Sequence, residues 1–149
     1  MIRFFGGRVM ALANGIETQD IEVWTEGSKI VFVGKPKAEE LDGKVFEREY
    51  DLKGNLLMPS FKNAHTHSAM TFLRSYADDM PLQDWLFKQI FPMEAKLDGE
   101  KVYWLTKLAI LEYLTTGCTA AFDMYFELDD YVKACTESGF RSVLCGCLL

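Results

Sequence analysis

The two histidines of this chain lie one residue apart, in the stretch "PSFKNAHTHSAM" from Pro59 to Met70. His65 and His67 follow a run of apolar residues that predicts a β-strand, and alternation along a strand places both imidazoles on one face. Two neutral imidazole nitrogens directed at one point can bind a divalent metal ion. The pair is also compatible with polar strand-end residues that hydrogen-bond to loops, so spacing alone leaves both interpretations open.

Composition excludes several classes of protein. The chain has 149 residues, of which 49% are hydrophobic, so it can bury the core of one soluble globular domain. The formal charge of −6 and the lack of a Lys or Arg block argue against a surface for nucleic acid or an anionic membrane. No stretch approaches the roughly 18 apolar residues that span a bilayer, and the N-terminus lacks a signal-peptide pattern. A cytoplasmic location is therefore expected.

Residues 1–55 are predicted to form short strands rich in Val, Ile, Phe and Trp. The predicted strands are "IRFF", "RVMAL", "IEVWT", "KIVFVG" and "VFEREYDL". The breaks between them fall at Gly6-Gly7, Asn14-Gly15, Glu26-Gly27 and Lys35-Pro36. The pattern predicts a small antiparallel β unit with a structural role.

From residue 56 onward, predicted strands and helices alternate. The strands are "NLLMPSFKNAH", "CTAAFDM" and "FRSVLCGCLL", and the helices are "PLQDWLFKQIF", "DGEKVYWLTKLAILEYLTTG" and "LDDYVKACTESG". Asp98 is the expected N-cap of the long helix, and Gly117 and Gly139 are expected to end the last two helices. Repeated β-α-β units predict a parallel sheet or barrel, whose functional residues lie at the C-terminal strand ends. His65 and His67 occupy such a position.

The run "GNLLMPSFKNAHTHSAMTFLRSYADDMPLQDWLFKQIFPMEAKL", followed by "GCTAAFDMYF", resembles the amidohydrolase superfamily. The resemblance is to the branch of 5-methylthioadenosine/S-adenosylhomocysteine deaminases and related chlorohydrolases. It implies an α/β fold in which a (β/α)₈ TIM-type barrel adjoins a β-sandwich. Residues 1–55 would be the N-terminal part of that composite β-sandwich domain, and residues 56–149 about three β/α units of an incomplete barrel.

The resemblance also implies roles for individual residues. His65 and His67 would bind a zinc or iron ion that activates water for attack on a ring carbon bearing an amino group. Trp85, eighteen residues beyond His67, would pack on the substrate, and Glu94, nine residues further, would bind ribose hydroxyls. Without the resemblance, Trp85 fits the apolar stripe of a helix and Glu94 a solvated surface acid. From its position at the end of "AAFD", and not from the resemblance, Asp123 is expected to hydrogen-bond to the strand-end backbone or orient a histidine, with a cap on the following turn as the alternative.

Family members have further metal ligands, two histidines and an aspartate, and a proton-shuttling glutamate on later barrel strands. This chain contains no third histidine, and "SVLCGCLL" stops in an apolar strand. The chain is therefore expected to be the N-terminal portion of a larger enzyme, inactive and poorly soluble by itself. Gly146 stands near the place where nucleoside deaminases of this branch often have an arginine, which leaves the choice of substrate open.

The leading hypothesis is hydrolytic deamination of an adenosine-like nucleoside, in a family where paired barrels make a homo-oligomer common. A guanine deaminase or a chlorotriazine-type hydrolase is the alternative within the superfamily. A different class is a non-catalytic zinc module that combines both histidines with Cys145 and Cys147, although the spacing does not follow zinc-finger patterns. An inert fragment is the third alternative.

Overall fold

The computed structural model describes residues 1–11 and 16–146. The chain divides into two compact units, Met1–Pro59 and Ser60–Leu149. The predicted turn at Asn14-Gly15 and the last predicted strand beyond Gly146, including Cys147, lie outside the described residues.

The first unit contains two small sheets and one short helix. The strands are β1 Ile2–Phe5, β2 Arg8–Ala11, β3 Glu17–Gln19, β4 Glu22–Glu26, β5 Lys29–Gly34, β6 Arg48–Asp51 and β7 Leu56–Leu57, and helix α1 is Ala38–Leu41. One sheet has the order β5-β4-β1-β6 and the other β3-β2-β7. Trp24 on β4 is almost fully buried and stacks on Phe32, with ring centroids 4.1 Å apart.

The prediction of an antiparallel unit is wrong in two places. β6 pairs with β1 in parallel, and β7 pairs with β2 in parallel, so both sheets are mixed. Long connections allow a strand to return beside an early one in parallel, whereas the antiparallel prediction assumed pairing between sequence neighbours. The sequence pattern also missed β3, because its residues are all exposed and show no apolar alternation.

The second unit is built on a parallel sheet with the strand order β10-β9-β8. The strands are β8 Phe61–Thr66, β9 Cys118–Tyr125 and β10 Arg141–Gly146. Five helical elements lie between β8 and β9: a 3₁₀ helix Ser68–Leu73, α2 Leu82–Asp84, a π-helical segment Trp85–Ile90, α3 Phe91–Glu94 and α4 Gly99–Thr115. Helix α5, Leu128–Ser138, lies between β9 and β10. The predicted alternation of strands and helices around a parallel sheet is confirmed.

The ends of the two long helices follow the sequence signals. The Asp98 side chain accepts a hydrogen bond of 3.0 Å from the amide of Lys101, as expected of an N-cap residue. Gly117 and Gly139 have φ angles of 82° and 64°, which glycine adopts at little cost after a helix. One predicted strand is wrong, because "NLLMPSFKNAH" is divided between β7 and β8 at a stretch that contains Pro59, which cannot donate a ladder hydrogen bond.

Helices α4 and α5 pack against one face of the sheet. The buried cluster on this side comprises Ala69, Val102, Ile110, Ala121, Tyr125, Tyr131, Cys135 and Phe140. On the opposite face, Phe122, Met124 and Val143 remain 49%, 41% and 59% exposed. Phe61 on β8 is also 60% exposed, so the prediction that this strand is buried is wrong. The alternation along β9 therefore separates a packed helix side from an open side.

Candidate metal and substrate site

The histidine pair lies where β8 carries an irregularity. Asn63 is paired with Ala121 and Thr66 with Asp123, so three steps along β8 match two along β9. Such a bulge redirects the side chains beside it. His65 and His67 meet edge to face, with ring centroids 5.3 Å apart and planes at 84°. The closeness of the two rings agrees with the sequence prediction that both imidazoles lie on one face.

The surroundings of His67 select one form of its ring. Nδ1 lies 2.8 Å from the carbonyl oxygen of Met124. A carbonyl oxygen only accepts, so Nδ1 donates its proton to it and the neutral ring keeps the lone pair on Nε2. Metal-binding histidines commonly donate their second ring nitrogen to a carbonyl in this way. The arrangement therefore fits a metal ligand.

A cavity of about 470 Å³ lies beside the sheet and brings together three of the predicted site residues. His67, Trp85 and Glu94 all line it. The remaining lining residues are Met70, Leu86, Ile90, Phe91, Met124, Tyr125, Phe126 and Gly146. Its size suits a drug-sized molecule, and its walls are mostly apolar with a few polar groups, as in small-molecule sites.

His65 lines a smaller neighbouring cavity of about 190 Å³, which His67 also lines. Cys145 on β10 lines this second cavity too. Within the described parts of the chain, no three His, Cys, Asp or Glu side chains come close enough together to hold a metal ion.

Trp85 and Glu94 reach the same cavity because the helical segment between them is irregular. Nine residues advance a regular α-helix by about 900°, which would place the two side chains on opposite faces. Residues Trp85–Ile90 form π-helical turns, whose i→i+5 hydrogen bonds widen the helix and change this phase. The apolar periodicity of the sequence gave no sign of the π segment.

Glu94 is half-buried, and its environment acts on its pKa in two directions. Desolvation is the largest effect and raises the pKa above the usual glutamate range. A side-chain hydrogen bond with Tyr125 and the nearby His67 oppose the increase. The burial of Glu94 in the cavity wall therefore determines the direction of its pKa change.

Asp123 is fully buried and faces the packed side of β9. Its carboxylate oxygens accept the amide proton of Ser68 at 3.1 and 3.3 Å. The amide belongs to the residue directly after His67, so Asp123 holds the backbone that follows the histidine. The structure places Asp123 near this segment and not in the cavity.

Sequence reasoning missed several groups around the histidines. The Met124 carbonyl oxygen and Tyr125 directly follow Asp123 in "FDMYF", and neither residue type indicates a role in the site by itself. The 3₁₀ helix after β8, which places Met70 in the cavity wall, has no clear periodic signal because it is short. Gly146, noted for the lack of an arginine, lines the cavity. Among the described residues, no helix has the length and apolar character needed to cross a membrane.

Comparison with known proteins identifies the family. Residues 56–149 match the amidohydrolase family. The chain belongs to this family. It is 44% identical over 123 residues to a 5-methylthioadenosine/S-adenosylhomocysteine deaminase of Desulfitobacterium hafniense, an overlap of 83% of this chain and 28% of the relative. It is 56% identical over 94 residues to a 5′-deoxyadenosine deaminase of Methanospirillum hungatei, covering 63% of this chain and 21% of the relative.

Solved structures agree with the membership in the amidohydrolase family. A zinc-bound adenosine deaminase from Xanthomonas campestris superposes with a TM-score of 0.87 and 33% identity, over 95% of this chain and 33% of that protein. The atrazine chlorohydrolase TrzN from Arthrobacter aurescens, also solved with zinc, has a TM-score of 0.83 at 22% identity, over 98% and 35%. This second likeness shows the fold alone. The amidohydrolase chain thus has a TIM-barrel-type fold and spans less than a third of the length of the curated relatives given above.

Proposed function

We propose that this amidohydrolase-family chain carries part of the active site of a metal-dependent hydrolase that deaminates an adenosine-like nucleoside. The observation that carries the proposal is the shared cavity of His67, Trp85 and Glu94. Residues 1–55 would contribute to a composite β-sandwich, and residues 56–149 would supply about three β/α units of the barrel. A cytoplasmic location and a homo-oligomeric assembly belong to the same proposal and rest on composition and family resemblance.

His65 and His67 would hold the metal ion, with zinc as the first choice and iron as the second. The convergence of the rings and the donation from His67 Nδ1 to Met124 support this assignment. A bound divalent metal would supply a water molecule of lowered pKa. Asp123 would act through the backbone, because its hydrogen bonds to the Ser68 amide fix the chain directly after His67.

Trp85 and Glu94 would bind the substrate. An indole provides a flat apolar wall for a purine, and an ionised carboxylate can accept hydrogen bonds from two ribose hydroxyls. The position of both side chains in one cavity supports a ligand with an aromatic part and a polar part. The similarity to the deaminases of D. hafniense and M. hungatei supports a 5′-substituted or 5′-deoxy adenosine.

A guanine deaminase or a chlorotriazine-type hydrolase is the second candidate. It rests on the family resemblance, and the fold is shared with the guanine deaminase from C. acetobutylicum, with a TM-score of 0.78 and 18% identity, and with the atrazine chlorohydrolase. These substrates lack ribose, so they would leave Glu94 without its proposed role.

A structural zinc site with cysteines, or an inert fragment, is the candidate of another class. Cys145 lines the same small cavity as both histidines, and this shared position is the observation that favours a structural zinc site. Cys147 lies outside the described residues, and the described ones contain no cluster of three metal-binding groups. The substrate-sized cavity next to His67 favours the enzyme instead.

The test uses the complete gene product, in wild-type form and as His67→Ala. Metal content and ammonia release are measured with 5′-deoxyadenosine, 5-methylthioadenosine, adenosine and guanine. The proposal expects ammonia from the nucleosides and loss of both metal and activity in the variant. Release from guanine alone would favour the second candidate. Unchanged metal content in His67→Ala would show that the histidine pair is not the metal site.

A further inference from the structure

Helix α4 contacts the two residues that flank His67 through the phenol group of Tyr113. The hydroxyl of Tyr113 lies 2.5 Å from Thr66 Oγ1 and 2.9 Å from Ser68 Oγ. Thr66 and Ser68 are the two neighbours of His67 in the chain. One hydroxyl therefore joins the residues on both sides of the second histidine.

The direction of these contacts matters for His67. Thr66 ends β8 and Ser68 begins the 3₁₀ helix, and His67 lies between them with φ −133° and ψ 76°. Thr66 and Ser68 point toward α4, whereas the His67 ring reaches Met124 and lines the cavity. By holding both neighbours, Tyr113 fixes the side on which the imidazole emerges.

Tyr113 is itself held in place. Its ring stacks on Phe140, with centroids 5.5 Å apart and planes at 20°. One residue earlier on α4, Glu112 accepts two hydrogen bonds of 2.7 and 2.9 Å from the guanidinium of Arg74. Helix α4 is thus attached to the segment that follows β8 at more than one point, and the Tyr113 ring packs against Phe140.

We propose that Tyr113 is a positioning residue for His67, which acts by bridging the hydroxyls of Thr66 and Ser68. The inference rests on the proposed function, because it assumes that His67 binds the metal. Neither the spacing of the histidines nor the family resemblance assigns a role to Tyr113.

The bridge predicts that removing the Tyr113 hydroxyl weakens metal binding without removing a ligand. Groups that orient metal ligands typically change metal affinity by about 10-fold to 100-fold when they are removed. We expect Tyr113→Phe to raise the Kd for zinc at least about tenfold. Ser68→Ala should have a similar effect, and the double variant should bind no more weakly than either single variant, because both changes break the same bridge.

The experiment measures the zinc Kd of the complete gene product by competition with a chromophoric chelator at one pH. Tyr103→Phe is the matched control, because it also removes a phenol oxygen from α4 but one that donates to Glu137, away from β8. The control is expected to keep the wild-type Kd. A Tyr113→Phe protein with wild-type zinc affinity would overturn the inference.

The failures of the two proposals can be separated. If the wild type holds zinc and His67→Ala does not, while Tyr113→Phe binds normally, the proposed function stands and only the inference falls. If the wild type binds no zinc, both fall. If Tyr113→Phe does not fold, Thr66→Val and Ser68→Ala take its place, and wild-type affinity in both refutes the bridge.

Discussion

Replacing Glu94 by glutamine tests the substrate assignment most directly, because it removes the charge and keeps the size of the side chain. The cavity around Glu94 is mostly apolar, so lost hydrogen bonds there are poorly replaced by water. A hydrogen bond to a charged group contributes about 1.5–3 kcal/mol, compared with about 0.5–1.5 kcal/mol between neutral groups. Across two ribose hydroxyls the difference is about 2 kcal/mol, which corresponds to about 30-fold in binding.

The assay compares kcat/KM for ammonia release from adenosine and from 2′,3′-dideoxyadenosine in the complete gene product. Glu94→Gln should lower the value for adenosine about 30-fold and leave that for the dideoxy compound within about threefold. Glu100→Gln is the matched control, because Glu100 is exposed on α4 and does not line this cavity. Equal losses for both substrates would show that Glu94 does not bind the ribose hydroxyls.

The pH dependence of this preference gives a second readout on the same residue. Burial raises the pKa of Glu94, so the carboxylate becomes protonated at a higher pH than an ordinary glutamate. The ionised form accepts hydrogen bonds from both hydroxyls, so the preference for adenosine should fall as the pH is lowered through this raised pKa. Glu94→Gln should show no such fall. A wild-type preference that stays constant into the ordinary glutamate range would contradict the reasoning.

Three further substitutions in the complete gene product have expected outcomes. Trp85→Leu should raise KM for nucleosides about tenfold, because stacking on a base contributes about 1–3 kcal/mol. Trp104→Leu is the control and should leave KM unchanged, because Trp104 lies on the exposed side of α4. Asp123→Ala should lower the free energy of unfolding, measured in urea, by about 1–3 kcal/mol more than Asp123→Asn does, because asparagine keeps an oxygen that accepts from the Ser68 amide. Equal losses in the two variants would argue against this hydrogen bond. Replacing Cys145 and Cys147 by serine should leave zinc content unchanged, and a loss of zinc would revive the structural metal site.

The elements were predictable where one local rule decides the structure. The N-cap at Asp98 and the glycine ends of α4 and α5 depend on backbone groups within a few residues, and the sequence shows them directly. The parallel pairing of β1 with β6 was not predictable in this way, because the two strands are far apart in the chain. Local patterns cannot distinguish a hairpin partner from a returning strand.

The site shows the same division. Residue types and spacing, read with the family resemblance, pointed to His67, Trp85 and Glu94, and these three line one cavity. The convergence of Trp85 and Glu94 depends on the π-helical segment, which changes side-chain directions without a periodic signal in the sequence. The role inferred for Tyr113 rests on hydrogen bonds between residues more than forty positions apart.

The sequence by itself determined the histidine pair, the α/β alternation and the helix ends, because each follows from residue type and short-range geometry, whereas Trp85 and Glu94 were singled out by the family resemblance. Only the tertiary structure decided which side chains share a cavity, which ring nitrogen of His67 keeps its lone pair, and which helix supports that residue. The physical reason is that these features are set by contacts between distant segments, where a carbonyl or a hydroxyl from another element completes the site.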